Sequence, residues 1–233
     1  LSKRLRADGW AILRMWARPA RFTERMEFTI SAAAPLAEQI APWAREFDER
    51  AAETAYAAQA AFAHVFQARP ELATRARAAI GFSGGAMVLS SVLAREPGAY
   101  ACAVMVGGGA DFWLMNERSN YANLLRILQV RYEGFEDLNA AKIAANDTYL
   151  HACTLDSYHT AGHIGATKVL LIQGNQDRAV PSPLGDLLWM RLGKPDRWLR
   201  QAGHELLFAN LRNEYDAVVE WIRAAAPSPA AGT

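Results

Sequence analysis

The chain has 233 residues, 52% hydrophobic and 21% charged, which is ordinary globular usage and the size of one α/β domain rather than two. Its 25 Lys and Arg balance 24 Asp and Glu, so a net charge of +1 gives no footing for nucleic acid or an anionic membrane as principal partner. Two cysteines, Cys102 and Cys153, are too few for a disulfide framework, and no apolar run reaches the ~18 residues of a membrane span.

The opening LSKRLRADGWAILRMW sets basic residues ahead of apolar ones, but Asp8 and Arg14 interrupt it, so it does not read as a signal peptide. A soluble, cytoplasmic protein is the expectation. Within that opening Asp8-Gly9 reads as a helix stop and Ala11–Met15 (AILRM) as a short strand. Ala51–Gln67 is Ala-rich with helical spacing of apolar residues and ends near Arg69-Pro70. Ala78–Phe82 (AAIGF) reads as a buried strand, followed at Gly84-Gly85 by a helix to about Ala94. Tyr100–Val106 is a continuous apolar run of strand length, closed by Gly107-Gly108-Gly109.

Residues 110–165 break this alternation, with helices expected over Asn120–Val130 and Asn139–Leu150 and no clear strand. Lys168–Gln173 (KVLLIQ) resumes it as a buried strand. Pro183–Leu192 reads as a helix, Arg197–Arg200 as a strand, Glu205–Ala225 as a last amphipathic helix and residues 226–233 as a flexible tail. Strands alternating with helices predict a mostly parallel sheet flanked by helices, one domain over residues 1–225.

Gly81-Phe82-Ser83-Gly84-Gly85 matches G-x-S-x-G at the end of a strand and the start of a helix. That context lifts a serine hydroxyl above the sheet, where helix N–H groups favour developing negative charge. A serine becomes a good nucleophile only when a histidine takes its proton and a carboxylate orients that histidine. Asp177 follows the strand KVLLIQ, and His204 lies 27 residues later between a short strand and the last helix. Asp111, after the strand ending at Val106, is a rival acid, whereas Asp186 and Asp196 read as solvated. Among the other histidines His64 reads as surface or packing. His151, Cys153, His159 and His163 form a weak metal pattern that reads better as a connecting loop, so no metal or other cofactor is expected.

GFSGG, LLIQGNQDRAVP and AGHELLF together resemble the α/β-hydrolase superfamily, closest to its dienelactone-hydrolase and prolyl-oligopeptidase-like branches, over about Leu1 to Ala225. The resemblance implies an α/β-hydrolase fold with a small helical cap over residues 110–165, inserted after the sixth strand. It implies Ser83 as nucleophile, Asp177 as acid, His204 as base and the Gly84 amide as one oxyanion donor. Phe112, Trp113 and Met115 are then candidates to line a substrate pocket, with packing of the cap as the alternative. The implied reaction is hydrolysis of a small-molecule ester. The rivals are a peptidase or amidase of prolyl-oligopeptidase type, and a catalytically silent fold that binds a partner.

The family's third strand and its oxyanion loop are missing before Leu1. Either preceding residues supply them, the expectation favoured here, or Ala11–Met15 takes the strand's place and Trp16-Ala17 the loop's.

Overall fold

The structure is a computed structural model that describes residues 1–15, 21, 24–121 and 128–227. Its main sheet has four parallel strands in the order β2-β3-β5-β6: β2 (Ala78–Phe82), β3 (Cys102–Val106), β5 (Lys168–Gly174) and β6 (Asp196–Arg200). A second sheet pairs β1 (Met26–Ser31) with β4 (Leu128–Glu133), also parallel. The helices are α1 (Ser2–Ala7), α2 (Leu36–Ala68), α3 (Gly84–Arg95), α4 (Phe112–Arg118), α5 (Leu138–Ala152), α6 (Ser157–Thr160), α7 (Ser182–Arg191), α8 (His204–Asn210) and α9 (Tyr215–Ala225).

The continuous apolar runs become the central strands because both faces of the sheet are covered. Along β3 and β5, Ala103, Met105, Val169 and Leu171 face a core built with α2, α3 and α7. Cys102, Val104, Val106, Leu170 and Ile172 face the opposite core, with Leu5 of α1, Leu207 of α8 and Val218 and Ile222 of α9. A third core is aromatic: Trp43 and Phe47 of α2, Trp113 of α4 and Tyr149 of α5 close over Ile30 of β1 and Leu128 of β4.

All four main strands point the same way, so their carboxyl ends share one edge. In register, Phe82 lies beside Val106, Val106 beside Ile172 and Gly174 beside Arg200. In open α/β sheets this edge is where ligands bind.

Several expectations are corrected. Ala11–Met15 forms no strand; Trp10 and Ile12 instead pack against the core beside α1 and α9. No described strand lies beyond β2, whose Ala78, Ala79 and Ile80 are half-buried. Residues 110–165 are not purely helical. Leu128–Val130 belongs to β4 instead of a helix, while residues 122–127 of that expected helix lie outside the described residues. Helix α2 starts fifteen residues earlier than expected and runs through Pro42. The last helix is two, α8 and α9, joined by a 3₁₀ turn over Leu211–Glu214. Of the expected tail, residues 228–233 lie outside the described residues. Among the described residues no helix is long and apolar enough to cross a membrane.

Candidate active site

Ser83 sits between β2 and α3 with φ 50° and ψ −118°, a left-handed backbone that an L-residue adopts only under local constraint. Three backbone bonds supply it. Ser83 N donates to Val106 O at 2.8 Å, and Ser83 O accepts from Ala86 N at 2.8 Å and Met87 N at 3.1 Å. Gly81 lets α3 approach, since a Cβ there would stand 2.7 Å from Gly85 O and 2.8 Å from Ala86 Cα. The Gly84 amide opens α3 and has no backbone acceptor among the described residues, as befits the first turn of a helix. It is therefore free to meet an anion, assisted by the helix dipole.

Asp177 stands in the turn after β5. Its Oδ1 accepts from Ala179 N at 2.9 Å and Val180 N at 2.8 Å, which leaves Oδ2 to face His204 Nδ1 at 2.7 Å. His204 is the first residue of α8, and its loop is locked to the Asp177 turn. Asn175 N donates to Arg200 O at 2.9 Å and Gln176 N to Ala202 O at 3.2 Å. Gly174 is required at that junction, because a Cβ would come within 2.3 Å of Ala202 O.

Ser83 Oγ lies 2.9 Å from His204 Nε2, which closes the path Ser83–His204–Asp177. An Nδ1-protonated imidazole donates to Asp177 and accepts the serine proton at Nε2, the tautomer that general-base chemistry needs. Both Asp177 and His204 are buried. Phe208 and Tyr121 stand edge-on to the His204 ring at 4.9 Å and 5.7 Å between centroids. Phe82, 44% exposed beside Ser83, lies 6.3 Å from the Phe208 ring.

The other candidates fall elsewhere. Asp111 is buried, but it caps α4 by accepting from Leu114 N at 3.0 Å, and Asn146 Nδ2 donates to it at 2.9 Å. Burial pushes its carboxyl up to about 6. Trp113 is wholly buried in the aromatic core, Phe112 packs against Trp43 and Phe47, and Met115 packs against Val180 and Leu184. Trp113 and Met115 are thus both buried, the alternative of packing that the sequence also offered.

Asp186 pairs with Arg197, and Asp196 accepts from Trp221. His151 bonds to Asp147 O, His159 to Leu150 O, and Cys153 donates to Asp48. No group of three metal-ligating side chains stands together among the described residues. A cavity of about 120 Å³ lies behind α8, walled by Ile172, Leu207, Leu211 and the Arg200–Glu214 ion pair, and does not reach Ser83. Trp16-Ala17, the alternative second oxyanion donor, lies outside the described residues. Sequence reasoning missed Phe208, whose only signal was aromatic character close after His204, and Tyr121, which lies far from Ser83, Asp177 and His204 in the chain and carried no signal.

The prolyl oligopeptidase family matches residues 38–225. No curated protein matches the chain. Among solved structures it is similar to the acylaminoacyl peptidase of Pyrococcus horikoshii, with 13% identity and a TM-score of 0.52 over 74% of this chain and 27% of that one. It is likewise similar to an esterase of Pyrococcus furiosus, with 17% identity and a TM-score of 0.51 over 72% of this chain and 60% of that one. The chain therefore spans less than two thirds of either relative, and at these identities the likeness is one of fold: the α/β-hydrolase fold.

Proposed function

We propose that this chain, which belongs to the prolyl oligopeptidase family, is a serine hydrolase that cleaves a carboxylic ester through an acyl-Ser83 intermediate. The observation that carries the reading is the unbroken hydrogen-bond path from Ser83 Oγ through His204 to Asp177. Ser83 Oγ attacks the carbonyl carbon while its proton passes to His204 Nε2. The Gly84 amide meets the charge that develops on the carbonyl oxygen. Collapse breaks the bond to the alcohol, which leaves with the proton from His204. Water then attacks the acyl carbon, His204 again taking and returning a proton, and the acid departs as Ser83 is regenerated. Asp177, pinned by two backbone amides, holds the ring and stabilises the imidazolium.

The aromatic surround of Phe82, Phe208 and Tyr121 supports a small-molecule substrate that is uncharged near the reacting bond. Two buried thiols, Cys102 and Cys153, support a reducing, cytoplasmic location.

The test is stoichiometric labelling by a fluorophosphonate, read as intact mass, with loss of the label in Ser83→Ala. A folded wild-type chain that stays unlabelled would sink the reading. Amide or peptide cleavage is the second reading, favoured by the family match itself. Turnover of p-nitrophenyl esters well above aminoacyl-p-nitroanilides is expected, and the reverse order would make the chain a peptidase.

A further inference from the structure

We infer that Tyr121, held by Glu205, forms the wall of the site on the leaving-group side and limits both the size and the negative charge of the group expelled. The inference rests on the serine-hydrolase reading and adds to it a class of substrate: esters or amides whose leaving group is compact and carries no carboxylate.

Tyr121 is fixed from three directions. Ser119 N donates to Met115 O at 2.8 Å where α4 ends, and Asn120 N donates to Arg178 O at 2.9 Å, in the turn that carries Asp177. Tyr121 N donates to Ser119 Oγ at 3.0 Å. The side chain then reaches across to the base. Its ring meets the His204 ring edge-on, 82° between planes, and its hydroxyl donates to the Glu205 carboxylate. The Glu205 hydrogen bond, with the carboxylate's charge, pushes the phenol up to about 12, so it stays a donor through the neutral range.

The chemistry says which part of the substrate this wall meets. The proton that His204 takes from Ser83 must be handed to the departing atom, so the leaving group passes alongside the imidazole. Phe208 and Tyr121 both stand edge-on to that ring, at 4.9 Å and 5.7 Å between centroids. A bulky leaving group therefore presses on Tyr121. Glu205 adds charge to the same wall. The Tyr121 hydroxyl and a backbone hydrogen bond hold its carboxyl below the usual range, so it is ionised at neutral pH. A leaving group that bears its own carboxylate is repelled there, and because Glu205 is exposed the repulsion weakens as salt rises.

The test keeps one acyl group and varies what leaves: phenyl acetate, 2-naphthyl acetate and 4-acetoxybenzoate, each read as kcat/KM. Ratios between variant and wild type cancel the intrinsic reactivity of the esters. Tyr121→Ala is expected to raise the naphthyl-to-phenyl ratio by about tenfold, the scale of relief at a hydrophobic contact, while Tyr121→Phe leaves that ratio unchanged. Glu205→Gln is expected to raise the acetoxybenzoate-to-phenyl ratio about threefold at low salt, and the gain should fade in roughly 0.5 M NaCl. Fluorophosphonate labelling of every variant shows whether its triad is assembled. Should Tyr121→Ala lose labelling, Tyr121→Leu carries the size arm and Glu205→Gln the charge arm.

Labelled variants with unchanged ratios would overturn the inference and leave the serine-hydrolase reading standing. A folded wild type that does not label would remove both.

Discussion

At the scale of single residues, Gly81 and Gly85, the two glycines that G-x-S-x-G fixes, do different work, although the motif prints them alike. Gly81 is wedged against the backbone of α3, with Gly85 O and Ala86 Cα inside the reach of a Cβ. A Cβ on Gly85 meets nothing within 4 Å. Gly81→Ala has no flexible side chain to push aside, so it must shift α3 and with it the Ser83 turn. The expected cost is about 1–3 kcal/mol in urea unfolding, the range of overpacking, together with loss of fluorophosphonate labelling. Gly85→Ala should remain within about 1 kcal/mol of wild type, since alanine suits a helix better than glycine. Equal effects from the two substitutions would refute this division.

At the scale of elements, legibility followed how locally each element declares itself. KVLLIQ and YACAVMV were readable because a strand buried on both faces is apolar throughout. LQVRYE alternates cleanly, with Leu128, Val130 and Tyr132 on the core side, but a neighbouring Leu-rich stretch draws the reading toward a helix. MEFTIS is short, and among the described residues its strand partner lies about a hundred residues away, so nothing near it announces a ladder. Pro42 hid the first half of α2, although Ile40, Trp43, Ala44 and Phe47 keep helical spacing. Ala11–Met15 shows the converse. Its apolar run suits a strand, yet a strand needs a partner and none of the described strands takes it.

The start of α4 yields a pH prediction at this same scale. Asp111 caps the helix from a buried position, and Asp156 accepts from Asp111 N at 2.9 Å and Phe112 N at 2.8 Å beside it. Burial raises the Asp111 carboxyl from 3.8 to about 6. Between those values the folded chain holds a proton that the unfolded chain has released. Stability from this group is therefore full below about pH 4 and is lost as pH rises through 6, on the order of 2–3 kcal/mol in total. Asp111→Asn removes the titration. An amide there still accepts from Leu114 N, and the unpartnered Asn146 Oδ1 is placed to take its N–H after a side-chain flip. Urea midpoints of wild type and variant should thus diverge between pH 4 and 7, the variant gaining. A constant difference across that range would show that Asp111 does not titrate there.

At the scale of the whole molecule, the three residues proposed to act together were legible while the layer that supports them was not, for one physical reason. Ser83, Asp177 and His204 each sit at a strand end marked by glycine turns, so short motifs locate them. The β1–β4 sheet is held instead by contacts between distant segments. Two strands alone are marginal in water, and here they depend on the aromatic core of Trp43, Trp113 and Tyr149. Trp113 is the joint between the halves. It belongs to α4, which follows β3 of the main sheet, yet its ring stands edge-on to Trp43 at 5.0 Å and Phe28 at 5.5 Å and stacks on Tyr149 at 5.6 Å. Trp113→Ala should therefore cost about 3–5 kcal/mol in urea unfolding. The loss should be uneven. Amide exchange in Met26–Ser31 and Leu128–Glu133 should speed up first, while Cys102–Val106 and Lys168–Gly174 stay protected. Folded variant should still label at Ser83 and keep the leaving-group ratios of wild type, because the indole touches no solvent. A variant of normal stability with a changed KM would instead return Trp113 to the substrate site and break the link drawn here between the two sheets.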